Sequence, residues 1–329
     1  MGSHLGLIGR KAGQLAALVL AVTFATFLLS SLIPGDFYAG RELDPTVRRE
    51  TLERLRSIQG LDLPMHVQYL RWLRRAARLD LGISLYYQAP VASVAAQALA
   101  RTLWIGAPAL LIGVLLGSLL GSLHALSAGR MPGVLFDVLS AIALSLPTVL
   151  LGLLALLFAA HTRWFPLGGM SAPDLAGGRF GEWLPDRLHH LVLPVLCLAA
   201  PILAYVERIQ LASCRQTLEQ QIVRAARARG LGAGRVLVHH LLRPSLNPVL
   251  AVLGPLFGAA LSGSLVIEVI FAWPGLGQVT YEALFNRDVF LLAGCVLTTS
   301  LLLALGSIGA DFVAALVDPR VRPSRERQI

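Results

Sequence analysis

Gln220-Gln-Ile-Val-Arg-Ala-Ala-Arg-Ala-Arg-Gly-Leu-Gly-Ala-Gly-Arg-Val-Leu-Val-His-His-Leu-Leu-Arg-Pro244 is the stretch on which the reading of this chain turns. Its charge comes from Arg224, Arg227, Arg229, Arg235 and Arg243, and no acidic residue occurs between Glu219 and Glu268. The Ala-Arg run favours helix. Gly230, Gly232 and Gly234 end it, and residues 236–242 can start a second helix. Long apolar runs flank the stretch on both sides, so it is expected to lie at a membrane surface as helix, glycine turn, helix. A plain basic cytoplasmic loop has the same composition, so the rest of the chain must decide between the two.

The composition is that of a membrane protein. Of 329 residues, 55% are hydrophobic and 14% charged, with mean hydropathy +0.67. Several apolar runs exceed the roughly 18 residues that mark a membrane-crossing helix. The net charge of +9 follows from Arg-rich loops, and no nucleic-acid partner is expected. Lys11 is the only lysine, with Arg10 before it and Ala12 after it. A phosphate-binding Gly-x-x-x-x-Gly-Lys-Ser/Thr loop is therefore absent, and any ATPase serving this chain is a separate polypeptide. Cys197, Cys214 and Cys295 form no Cys-x-x-Cys pair. His189-His190 and His239-His240 are neighbours that point about 100° apart on a helix. No metal site, disulfide framework or catalytic residue is expected.

Six spans are read, over 12–33, 102–126, 134–160, 191–205, 246–272 and 289–305. Arg10 and Lys11 put the N-terminus in the cytoplasm and make the first run an uncleaved span. Residues 34–101 form an outer-face insertion with an amphipathic helix over 47–58 and a turn over 60–64. A second helix over 67–73 is expected along the membrane interface, where Tyr69 and Trp72 would sit. Residues 124–130 read as a short cytoplasmic turn, and Glu207-Arg208 as a marker of the inner surface. Ser145 and Pro147 kink the third span, either for packing or to line a pathway. The fifth span is rich in Gly and Ala, which lets helices approach closely. Glu268, near its outer end, is a functional candidate or a side chain reaching the headgroups.

Several motifs carry a family resemblance. Arg224-Ala225-Ala226, three residues, then Gly230-Leu231 resembles the EAA loop of ABC importer permeases, in the variant of the peptide-transporter branch, with Arg224 where the family pattern has Glu. The insertion shows Gly60-Leu-Asp-Leu-Pro64, Gln68-Tyr-Leu-Arg-Trp-Leu73 and Leu79-Asp-Leu-Gly-Ile-Ser84, similar to B-type peptide permeases, which usually have Gly where Leu79 stands. Pro90-Val91, Arg101-Thr102-Leu103 and His190 with Leu193-Pro194 also fit. Glu268, Phe271, Pro274, Gly275, Leu276 and Gly277 match Glu-x-x-Phe-x-x-Pro-Gly-Leu-Gly in order, and Asp318-Pro-Arg320 opens a similar tail.

The resemblance implies an all-α polytopic permease of the type I ABC importer kind, with six transmembrane helices and the outer insertion between helices 1 and 2. It divides the chain into 1–33, 34–101, a core of 102–317 and a cytoplasmic tail of 318–329, with the coupling loop at about 214–245. Arg224, Ala225, Ala226, Arg227, Arg229, Gly230, Leu231 and Arg235 would dock the ATPase. Glu268, Phe271, Pro274, Gly275, Leu276 and Gly277 would form an outer gate whose glycines allow a tight turn. Implied partners are a second homologous permease, two ABC ATPases, an extracytoplasmic substrate-binding protein and membrane lipid. ATP and Mg would sit on the ATPases, with no cofactor on this chain. The expected location is the bacterial inner membrane with both termini cytoplasmic. The expected cargo is di- or oligopeptide, with nickel, haem, glutathione or oligosaccharide as alternatives. An ion-driven secondary transporter is the rival, but it needs mid-depth carboxylates and related halves, whereas the spans here are nearly free of acids at mid-depth and show no such repeat.

Overall fold

The computed structural model describes residues 2–39, 48–127, 131–172, 180–220, 229, 230, 232 and 241–317. These are α1 (Gly2–Leu32), α2 (Arg49–Gln59), α3 (Met65–Ala76), α4 (Val91–Leu126), α5 (Met131–Ser145), α6 (Thr148–Thr162), α7 (Phe180–Leu218), α8 (Arg243–Ser245), α9 (Asn247–Ala251), α10 (Leu253–Ile270), α11 (Leu276–Phe285) and α12 (Val289–Val317). A single bridge, Ile83 to Pro90, is the only strand pairing among the described residues. Five helices are long and apolar enough to cross a membrane, or six if the bent pair α5–α6 is one span. The chain divides into unit 1 (residues 1–102 and 274–304) and unit 2 (residues 103–273 and 305–329).

In unit 1, α2 ends at Gly60, whose φ of 71° lets its N–H and that of Leu61 turn back onto the last helical carbonyls. α3 then packs on α1. Tyr69 and Trp72 are buried against Phe27, and the Tyr69 hydroxyl lies 3.1 Å from the Leu20 carbonyl. The expectation that these aromatics anchor the helix at a lipid interface is therefore corrected. The neighbouring span supplies both the apolar contact and the hydrogen-bond acceptor that Tyr needs when buried.

The Leu79–Ser84 motif is a chain of turns. Leu79 has φ 63°, the left-handed conformation that explains why glycine is usual there, and its side chain points into open space. Asp80 accepts from Gly82 N (3.0 Å) and Arg75 Nε (2.9 Å), and Gly82 has φ 91°. Ser84 then donates to Asp288 at the start of α12, over 2.7 Å.

In unit 2, three expectations change. The third span is not a kinked helix but two helices bent by 105°, with Pro147 (φ −58°, ψ 143°) as the first residue outside α6. α7 begins at Phe180 and reaches Leu218, well beyond 191–205 at both ends, with Pro185, Pro194 and Pro201 inside it. α4 runs on to Leu126, so His124 belongs to the helix and not to the turn, and both it and Glu207 are buried.

The fifth span does approach its neighbours closely, since a Cβ on Gly263 would stand 2.8 Å from Leu198 Cδ1 of α7, and α4 makes a second close approach. Gly113, Gly117 and Gly121 line one face of α4 against α7. A Cβ would stand 2.6 Å from Ile202 Cγ2 at Gly113, 2.7 Å from the Leu203 carbonyl at Gly117 and 2.5 Å from the Glu207 carbonyl at Gly121. Small residues at a spacing of four let two membrane helices touch backbone to backbone. Ile202, Val206, Leu110 and Val114 pack beside the stripe.

Candidate functional site: the stems of the basic stretch and the outer element

Of the coupling-loop candidates, Arg224, Ala225, Ala226, Arg227, Leu231 and Arg235 lie outside the described residues. Arg229 and Gly230 are described and exposed, and Gly230 has φ 73° with open space around it. That backbone favours glycine whatever the room available.

The stretch leaves from α7 and returns at Leu241, and its two stems are clasped together. Gln210 Nε2 donates to Ser245 Oγ (2.8 Å) and to Ser122 Oγ (3.1 Å). Cys214 Sγ lies 3.2 Å and 3.5 Å from the same two hydroxyls. Leu241 packs with Ala125, Leu211 and Cys214 just below. Departing stem, returning stem and the end of α4 are thus one packed body. Sequence reading missed Gln210, Ser122 and Ser245. Their one local signal is that Gln210 and Cys214 stand four apart on a single face of α7.

The outer element divides at Trp273. In unit 2, Glu268, Phe271 and Trp273 are buried. Trp273 N donates to the Glu268 carbonyl (2.8 Å) and Gly169 N to the Phe271 carbonyl (2.8 Å). Gly168 is needed here, since a Cβ on it would lie 2.6 Å from the Phe271 oxygen. In unit 1, Arg101 donates to the Pro274 carbonyl (3.4 Å), and Leu276 N to the buried Thr102 hydroxyl (2.7 Å). Two motifs quoted far apart in sequence are therefore neighbours. Leu276 and Gly277 open α11 with their side facing the unit 1 core.

The glycine argument for this turn needs correcting. Gly275 has φ −92° and ψ −174°, extended backbone open to any residue, and the left-handed residue is Ala272 (φ 48°). Ser145 ends α5 at the 105° bend. His189 Nε2 lies 2.8 Å from the Trp164 carbonyl and His190 Nδ1 lies 2.8 Å from the Asp186 carbonyl, so each has its own partner.

A family profile described as binding-protein-dependent transport system inner membrane component matches residues 113–323. The chain belongs to this family. A protein of Brucella ovis that carries a peptide-permease name is 34% identical over 309 residues, 93% of this chain and 95% of that one. The di/tripeptide transport system permease protein DppB of Pseudomonas aeruginosa is 33% identical and aligns over 98% of this chain and all of its own length (100%). The glutathione transport system permease protein GsiC of Escherichia coli is 30% identical over 96% of this chain and 98% of its own. Among solved structures, the inward-facing MetNI methionine ABC transporter superposes with TM-score 0.54 at 15% identity, covering 68% of this chain and 96% of that one, a likeness of fold.

Family membership makes this chain a membrane-embedded transport subunit of an ABC importer, not its ATPase. ATPase and substrate-binding partners follow in general terms, as does the inner membrane as its location. The all-α, multi-span permease fold expected from sequence is the one observed. The profile begins at Gly113, so it takes in all three stripe glycines on α4 with the whole of α7 and the basic stretch.

Proposed function

We propose that this chain forms half of the pathway through which an ATP-driven importer moves di- or oligopeptides across the inner membrane. The observation that carries this is similarity to peptide-named permeases along 93–98% of the chain, the insertion over 34–101 included. A glutathione importer is the second reading, favoured by the likeness to GsiC. Glutathione is itself a small peptide, so both readings place one class of cargo in the pathway. The chain pairs with a second, homologous permease. Two ATPases carry ATP and Mg below, and an extracytoplasmic binding protein delivers cargo above. Both termini are cytoplasmic. Arg224, Ala225, Ala226, Arg227, Arg229, Gly230, Leu231 and Arg235 receive the ATPase motion, and Glu268 with Phe271–Gly277 lies at the outer end of the route.

The test is Gly230→Trp in the reconstituted complex. The substitution meets open space but must hold φ near 73°, a strain of about 1 kcal/mol. Membrane levels of the protein should stay near those of the parent, while ATP hydrolysis stimulated by peptide-loaded binding protein is lost. Stimulation equal to the parent's would remove this stretch from the coupling route. Stimulation by glutathione-loaded but not peptide-loaded binding protein would select the second reading.

A further inference from the structure

α5 is attached to unit 2 differently from its neighbours. Val134, Leu135, Val138, Leu139, Ile142 and Leu144 are 46–58% exposed, and Gly133 and Ser140 are its buried residues. Among the described residues, none from α5 belongs to the apolar clusters of the unit. Besides its close packing on α7 and the contact of Phe136 with the His124 ring, α5 is held by a ring of polar side chains on three helices. His124 (α4) Nδ1 lies 2.5 Å from Glu207 (α7) Oε1, and Ser140 (α5) donates to Glu207 Oε2 over 2.8 Å. Arg208 (α7) approaches Glu207 Oε2 at 3.6 Å through Nε, and donates to Asp137 (α5) Oδ1 at 2.6 Å and to its carbonyl at 2.9 Å. Asp137 Oδ2 returns to His124 Nε2 at 3.6 Å, which closes the ring.

The ring has a dry, buried half and an exposed half. His124 and Glu207 are 1% exposed, whereas Asp137 is 51% and Arg208 35% exposed. Removing a partner from a buried charge leaves it uncompensated at high cost, so the dry half stays closed. An exposed ion pair is parted at little cost, so this half can separate. By contrast, α4 and α7 meet through glycines with backbone in contact, an arrangement with no low-cost way to part.

We propose that Asp137 and Arg208 form a separable ionic joint between the α4–α7 body and α5. α7 feeds the basic stretch, and Gln210 ties it to the returning stem at Ser245, so motion delivered there arrives on α7. The joint passes that motion to α5 and around the 105° bend to α6. Gly152 of α6 lies against Ile270 and Ile267, which lead directly into the buried part of the outer element. The contacts thus run without a break from the stems of the basic stretch to Glu268 and Phe271 within one unit. Asp137 and Arg208 act here as positioning residues, and this assignment rests on the function proposed above.

The experiment uses the complete complex in liposomes, with ATP hydrolysis measured with and without peptide-loaded binding protein. Asp137→Asn and Arg208→Gln should each lower the stimulation ratio at least about fivefold, with unstimulated hydrolysis within about twofold of the parent. The double variant should be no worse than either single, because two partners in one contact are not additive. Asp137→Glu and Arg208→Lys, which keep the charges, should restore most of the ratio. Thermal melting of each purified complex separates coupling from folding. Unchanged stimulation in both single variants would overturn the joint, as would losses that multiply in the double or that track melting temperature alone. A parent complex showing no stimulation would instead overturn the functional reading, and the joint with it.

Discussion

Asp288 in unit 1 and Glu207 in unit 2 are both buried carboxylates, held in opposite fashion. Asp288 in unit 1 precedes α12, accepting from Ser84 Oγ (2.7 Å), Tyr86 N (3.0 Å) and Leu291 N (3.0 Å). Its donors are neutral, two are backbone amides, and it sits at the positive end of a helix. Glu207 in unit 2 is held by His124, Ser140 and Arg208, all side chains and two of them ionisable. A carboxylate capped by backbone cannot lose its donors without unfolding the turn. One ringed by side chains from three helices can keep some partners while others move. Unit 1 is fastened to its helix, whereas unit 2 is jointed.

The largest effect should come from Asp288→Ala. It leaves the Ser84 hydroxyl and two amides without their acceptor in a buried site, costing about 3 kcal/mol, while Asp288→Asn should cost about 1 kcal/mol. Thermal melting of the detergent-solubilised protein reads both. Parent-like melting of Asp288→Ala would end the contrast, since the cap would then be no more essential than an ordinary surface contact.

Gly121→Leu should come next. Its Cβ would meet the Glu207 carbonyl at 2.5 Å and Gln210 Cβ at 2.8 Å, so α4 and α7 must separate at a cost of about 1–3 kcal/mol. Hydrogen exchange should rise along α4 and α7 and not in α3. Gly181→Leu, with nothing within 4 Å, should stay within about 0.5 kcal/mol of the parent. Equal tolerance at Gly121 and Gly181 would mean that α4 and α7 are not one body, and the joint would lose its fixed side.

The smallest effect sharpens the comparison from a third kind of carboxylate. Asp36 is partly exposed, and hydrogen bonds from Arg56 at 2.6 Å and 2.8 Å hold its carboxyl below the ordinary value of 3.8. A folded-state value lower than the unfolded one stabilises fully above 3.8 and is lost as pH falls through the lowered value. The contribution should stay under about 1 kcal/mol. Melting curves of parent and Arg56→Ala should therefore differ slightly near neutrality and converge in strong acid. A gap that widens towards acid would contradict the sign of this pair.

Hydropathy is a local sum, which is why the apolar runs, the all-α class and the multi-span permease architecture were legible in the sequence. Turn chemistry is local too: Gly60 ends α2 because only its own φ and the last carbonyls of that helix are involved. The motifs over 60–84 and 268–277 named the family because they are contiguous words. Tertiary structure alone decided which polar residues are buried. Nothing in the sequence tells that Glu207 is buried until His124 and Ser140, 83 and 67 positions away, arrive beside it. Tyr69 and Trp72 read as interface anchors until α1 covers them. Pro147 announces a break but not its 105° angle, while three prolines lie within the continuous α7. A residue's propensity is its own, whereas the stability of a buried charge, ring or bend depends on partners that only the folded chain brings within reach.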